Sequence, residues 1–108
     1  MKLYFYIMEG MYGDNPKLTY SECEVEKRPK TYKPIDKFPY GYYGSFVRKE
    51  DSGCLIGYTK TTCVLEEKDD KRAKEIFASY FEGCIDFKKR EIERLEEKLN
   101  AVNEFGEI

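Results

Sequence analysis

The chain opens on Leu3-Tyr4-Phe5-Tyr6-Ile7-Met8, an aromatic run of strand-forming residues. Gly10 to Lys17, with Gly13-Asp14-Asn15-Pro16 inside it, then supplies a turn. From Leu18 to Lys27 the residues Thr19, Ser21, Cys23 and Val25 alternate with Leu18, Tyr20, Glu22, Glu24 and Glu26. A period of two is that of a strand with one wet face, which the glutamates mark. The two runs predict a first hairpin. Between Arg28 and Gly44 the prolines 29, 34 and 39 and the segment Phe38-Pro39-Tyr40-Gly41-Tyr42-Tyr43-Gly44 exclude long regular structure, so an extended edge and then a loop are expected. Ser45-Phe46-Val47-Arg48 reads as a short strand, Lys49 to Gly53 as a turn, and Cys54 to Leu65 as one or two further strands around Gly57.

After Leu65 the pattern changes. Asp69-Asp70 precedes a run rich in Lys, Arg, Glu, Ala and Leu that holds no proline, and acids at the positive end of a helix are favourable. Ala73, Ile76, Phe77, Tyr80, Phe81 and Cys84 make a broad apolar stripe at helical spacing, suited to packing on a sheet. Beyond it Ile85, Ile92, Leu95, Leu99 and Val102 keep a seven-residue seam, interrupted at Lys88. The fold class expected is therefore α+β: a small antiparallel sheet of four or five strands, then a long C-terminal helix, continuous or broken near Gly83. Residues 1–108 read as one domain, with the sheet in 1–66 and the helical segment in 69–103. An unbroken helix from Asp70 to Val102 would be roughly 50 Å long, against a radius of gyration of about 13 Å for a compact domain of this size. Either it breaks near Gly83, or the seam packs on another copy. The seam favours a homodimer or higher oligomer with Ile85, Ile92, Leu95, Leu99 and Val102 at the interface.

Charged residues make up 37% of the chain, yet 16% is aromatic, enough to build a core under a charged surface. The net charge of -2 argues against a general nucleic-acid binder. Its distribution is uneven: residues 1–65 carry a net +2 and residues 66–108 a net -4. An anion-binding surface is therefore expected to be local. The short apolar opening run resembles neither a membrane span nor a signal peptide, so a cytoplasmic protein without membrane contact is expected. Cys23, Cys54, Cys63 and Cys84 lack metal-type spacing, and with no histidine to complete a site they are expected as buried, reduced thiols, with no metal and no cofactor.

The absence of histidine also removes the commonest general base, so no catalytic residues are assigned and the protein reads as a non-enzyme. Two features are candidates for binding. Arg90 and Arg94, four apart beside Lys88-Lys89, project from one helical face where two guanidinium forks can grip phosphate oxygens, or else pair with Glu93, Glu97 and Glu91. Tyr42, Tyr43 and Phe46 lie in or beside a glycine-containing loop that can offer a ring to a base, and Arg48 follows it as a further phosphate ligand.

The opening strand, the segment Glu24-Val25-Glu26-Lys27-Arg28-Pro29-Lys30-Thr31-Tyr32 and the Glu/Lys-rich terminal helix together resemble small early proteins of phages and prophages of Gram-positive hosts. Within that group the chain resembles the Thoeris anti-defence family. The resemblance implies an oligomer of sheet-plus-helix protomers that sequesters a cyclic nucleotide or cyclic ADP-ribose-type immune signal in the host bacterial cytoplasm, with Arg90 and Arg94 as phosphate ligands. The acidic second half leaves open an inhibitor of a host defence nuclease that imitates nucleic acid.

Overall fold

A computed structural model describes residues 1–10, 13, 15–57 and 60–106. The architecture is α+β. Among the described residues six antiparallel strands, β1 (Lys2–Glu9), β2 (Lys17–Lys27), β3 (Thr31–Pro34), β4 (Val47–Arg48), β5 (Leu55–Ile56) and β6 (Thr62–Leu65), precede one α-helix, α1 (Asp70–Glu104). The sheet order is β4-β3-β2-β1-β6-β5. The strand count exceeds the expected four or five because Thr31–Pro34, in the segment expected only as an extended edge, pairs with both β2 and β4 and so forms a strand of its own. Met11, Tyr12 and Asp14 of the expected first turn, and Tyr58 and Thr59 of the expected strand around Gly57, lie outside the described residues.

The first hairpin forms as the alternation dictates. β1 and β2 pair from Lys2↔Glu24 to Glu9↔Lys17. Cys23 and Val25 are buried while Glu22, Glu24 and Glu26 are exposed. Leu3, Phe5 and Ile7 point the same way as Cys23 and Val25, and Tyr32, Val47 and Val64 complete this core, with Phe38, Tyr42 and Ile56 packed against it. Phe38 and Tyr42 lie 5.5 and 5.7 Å from the Phe5 ring, so the proline-rich segment closes over this face with its own aromatics.

The opposite face carries Tyr6, Cys63 and Leu65, all buried. Asp69 caps α1: its Oδ1 accepts the Arg72 N–H at 3.0 Å and its carbonyl accepts the Ala73 N–H at 3.1 Å. The Tyr6 hydroxyl donates to Asp70 Oδ1 at 2.7 Å, which ties the first turn of the helix to β1. Ala73 and Phe77 are the buried residues of α1.

The helix runs unbroken through Gly83, so of the continuous and broken forms expected it takes the continuous one. By internal contacts the chain divides into two compact units, Met1–Phe77 and Ala78–Ile108. The expected packing stripe ends early: Ile76 and Phe81 are half-buried, while Tyr80 and Cys84 are exposed. The four cysteines are free, but only Cys23 and Cys63 are buried, so the expectation of buried thiols is corrected for Cys54 and Cys84. Cys54 precedes the short edge strand β5, and Cys84 lies beyond the part of α1 that is buried. Among the described residues no helix is long and apolar enough to cross a membrane.

Candidate functional site

The sequence from Lys27 to Lys30 ends one strand and turns the chain. Pro29 presets the backbone for the turn, and the Arg28 N–H donates to the Thr31 carbonyl at 2.9 Å. β3 returns beside β2 with Lys27 opposite Tyr32. β4 then pairs with β3 through Thr31↔Arg48 and Tyr32↔Val47, and the Lys49 N–H extends the ladder to the Lys30 carbonyl at 3.0 Å. Tyr32 and Val47 are each 1% exposed on the core side. The strand alternation therefore sends Thr31 and Arg48 to the other side.

There Pro29, Lys30, Thr31, Phe46, Arg48, Lys49 and Glu50 line a cleft of about 600 Å³. Three bases against one acid make it locally positive. Arg48 meets Glu50 at 3.5 Å, but both side chains are largely exposed, so the pair is weak and an incoming anion can displace the carboxylate. The Lys49 ammonium stands 5.7 Å from the centre of the Tyr32 ring. Phe46, 40% exposed, offers an apolar ring at the same place.

The sequence-predicted residues thus separate. Phe46 and Arg48 share the cleft, whereas Tyr42 and Tyr43 line a different depression of about 530 Å³ with Gly41, Gly44, Gly57, Thr61 and Thr62. Tyr42 is committed to packing, its ring 5.0 Å from Phe38 and its hydroxyl donating to the Phe46 carbonyl at 2.8 Å. A Cβ at position 44 would lie 2.5 Å from that hydroxyl, which is why glycine stands there. Tyr43 is 84% exposed and its ring meets that of Tyr40 edge-on. Arg90 and Arg94 are exposed on α1 in the second unit. Among the described residues neither takes part in an ion pair, so the surface pairs with Glu91, Glu93 and Glu97 do not form. Ile85, Ile92, Leu95, Leu99 and Val102 are 52 to 69% exposed.

Lys30 and Lys49 join the cleft beside the residues expected from the sequence. The signal for Lys30 was present in Lys27-Arg28-Pro29-Lys30, a basic run on a proline turn. Lys49 reaches the cleft only through the β3–β4 pairing. The buried thiols offer no nucleophile: burial raises Cys23 and pushes Cys63 up to about 11, so both are protonated near neutral pH. Among the described residues no group of three or more His, Cys, Asp and Glu side chains is placed to hold a metal ion.

The fold and cleft define a small α+β protein with a locally basic cleft on a chain of net negative charge. Comparison with protein-family models, curated proteins and solved structures yields no match.

Proposed function

We propose that this protein is a non-enzymatic cytoplasmic binder that sequesters a small phosphorylated nucleotide. In line with the resemblance noted above, its cargo is a cyclic nucleotide or cyclic ADP-ribose-type immune signal, and its role is phage anti-defence. The observation that carries the reading is the convergence of Lys30, Arg48 and Lys49 with the Phe46 ring in one cleft. Guanidinium and ammonium groups recognise phosphate oxygens, and an exposed ring stacks on a base. The lining contains neither histidine nor cysteine, which favours retention over turnover.

Titration calorimetry with cyclic ADP-ribose tests this. The wild type binds, Lys30→Ala with Arg48→Ala weakens binding at least about tenfold through lost charge-assisted hydrogen bonds, and Phe46→Ala weakens it by about 1 to 3 kcal/mol. If Arg90→Ala with Arg94→Ala abolishes binding and the cleft variants do not, the ligand sits on α1 instead. No heat with cyclic ADP-ribose or with a cyclic dinucleotide sinks the reading.

A second reading, inhibition of a host defence nuclease, is favoured by one observation. Glu82, Asp86, Glu93, Glu97 and Glu104 are exposed and recur every four and seven residues, a line of carboxylates along one side of α1. Such a line suits a basic groove. In that case Glu93→Lys with Glu97→Lys abolishes inhibition of the nuclease and leaves nucleotide titrations unchanged.

A further inference from the structure

The apolar seam of α1 has two columns. Ile85, Ile92 and Leu99 form one, and Lys88, Leu95 and Val102 the other, each at seven-residue intervals along an unbroken helix. From Ala78 to Glu104 no side chain of this helix is buried. The seam itself does not identify its occupant, but the charges beside it do. Glu91 and Lys98 immediately precede Ile92 and Leu99 on one flank, and Lys89 and Glu96 immediately follow Lys88 and Leu95 on the other. Each flank carries one acid and one base, in opposite order. Among the described residues none of these four charges takes part in an ion pair.

We propose that the occupant is a second copy of this chain, paired antiparallel along Gly83–Glu104, with Ile92 against the partner's Leu95. In antiparallel helices each flank faces its own counterpart. This register then sets Glu91 against the partner's Lys98 and Lys89 against the partner's Glu96, and the two-fold axis repeats both pairs. Ile85 meets the partner's Val102, and the stem of Lys88 lies on the partner's Leu99 with its ammonium in water. The overlap is about 33 Å long at ~1.5 Å per residue.

The alternatives are penalised by the same charges. Sliding the partner by one heptad sets Glu91 on the partner's Glu91 and Lys89 on the partner's Lys89. Sliding it the other way opposes Lys98 to the partner's Lys98 and Glu96 to the partner's Glu96. A parallel pair in register stacks Lys88 on the partner's Lys88 and opposes Glu91 to the partner's Glu96. Only one arrangement leaves every flanking charge satisfied, and discrimination of this kind is what charges flanking a helical seam provide.

Sedimentation equilibrium of the full chain tests the register. Glu91→Lys weakens self-association by about tenfold, because two attractive pairs become repulsive, and adding Lys98→Glu restores it. A parallel pair responds oppositely to Glu91→Lys, since the new lysine meets the partner's Glu96. Stronger association, no change, failure of the second substitution to restore it, or a monomeric wild type at every concentration each overturns the proposal. Orientation is read independently by spin labels on the exposed Cys84 of a Cys54→Ser chain. Cys84 falls opposite position 103 of the partner, so antiparallel pairing separates the labels by about 30 Å. A separation below about 20 Å indicates parallel pairing and overturns the proposal.

Discussion

Asp70 shows how one side chain serves two elements. The Tyr6 hydroxyl bond first, and the Lys68 ammonium at 3.2 Å next, hold its carboxyl below the usual carboxylate range. Burial, and then the bond to Asp70, push the Tyr6 phenol far up, so it stays a donor through neutral pH. A carboxylate whose pKa is depressed on folding contributes stability above its unfolded value, about 3.9, and that contribution is lost as the pH falls through the folded value. Tyr6→Phe removes the larger cause. The variant is accordingly less stable than wild type at pH 7, and the difference shrinks at pH 3. Urea unfolding at the two pH values measures this, and a difference that grows on acidification contradicts the assignment. Next to this pair, Tyr20 donates to Glu22 at 2.8 Å and lies under the Lys68 ammonium at 5.0 Å. Burial first, then Glu22, pushes the Tyr20 phenol up to about 12. These contacts tie β1 and β2 to the segment that leads into α1, a role apart from the proposed anion site.

At the scale of elements, strands and helix differ in how much of their cause is local. β2 announced itself because one face is wet and the other dry. β3 showed only as an extended edge, because a four-residue strand with a proline at its end exists through its ladders to β2 and β4. Such short strands gain from pairing and burial rather than from intrinsic preference. The helix was legible from its composition and cap, and its continuity was not. Gly83 costs helix stability through backbone entropy, but one glycine in a helix of 35 residues is tolerated. An added Cβ there meets nothing within 4 Å. Gly83→Ala therefore stabilises the helix by about 0.5 to 1 kcal/mol. Hydrogen exchange of the neighbouring amides slows by up to about fivefold while the association constant stays the same. Unchanged exchange would mean that this turn is not helical in solution.

At the scale of the whole molecule, every buried core residue among the described residues lies at or before Phe77. Leu95→Asp is therefore expected to lower the mass measured by light scattering while leaving the near-ultraviolet signal of the packed tyrosines intact. Loss of both together would show that the sheet unit depends on the helical seam. The sequence by itself determined the α+β class, the first hairpin and its wet face, the start of α1 and the heptad seam. Each of these rests on the periodicity or end-capping of a single continuous segment, so a linear reading finds it. What only the tertiary structure decided is which distant residues meet. Phe46 and Arg48 gained Lys30 and Lys49 because β4 pairs with β3, Tyr42 was withdrawn into the core by Phe5 and Phe38, and Cys54 and Cys84 were left at the surface. Those outcomes depend on strand order and burial, and neither is written in any one segment of the chain.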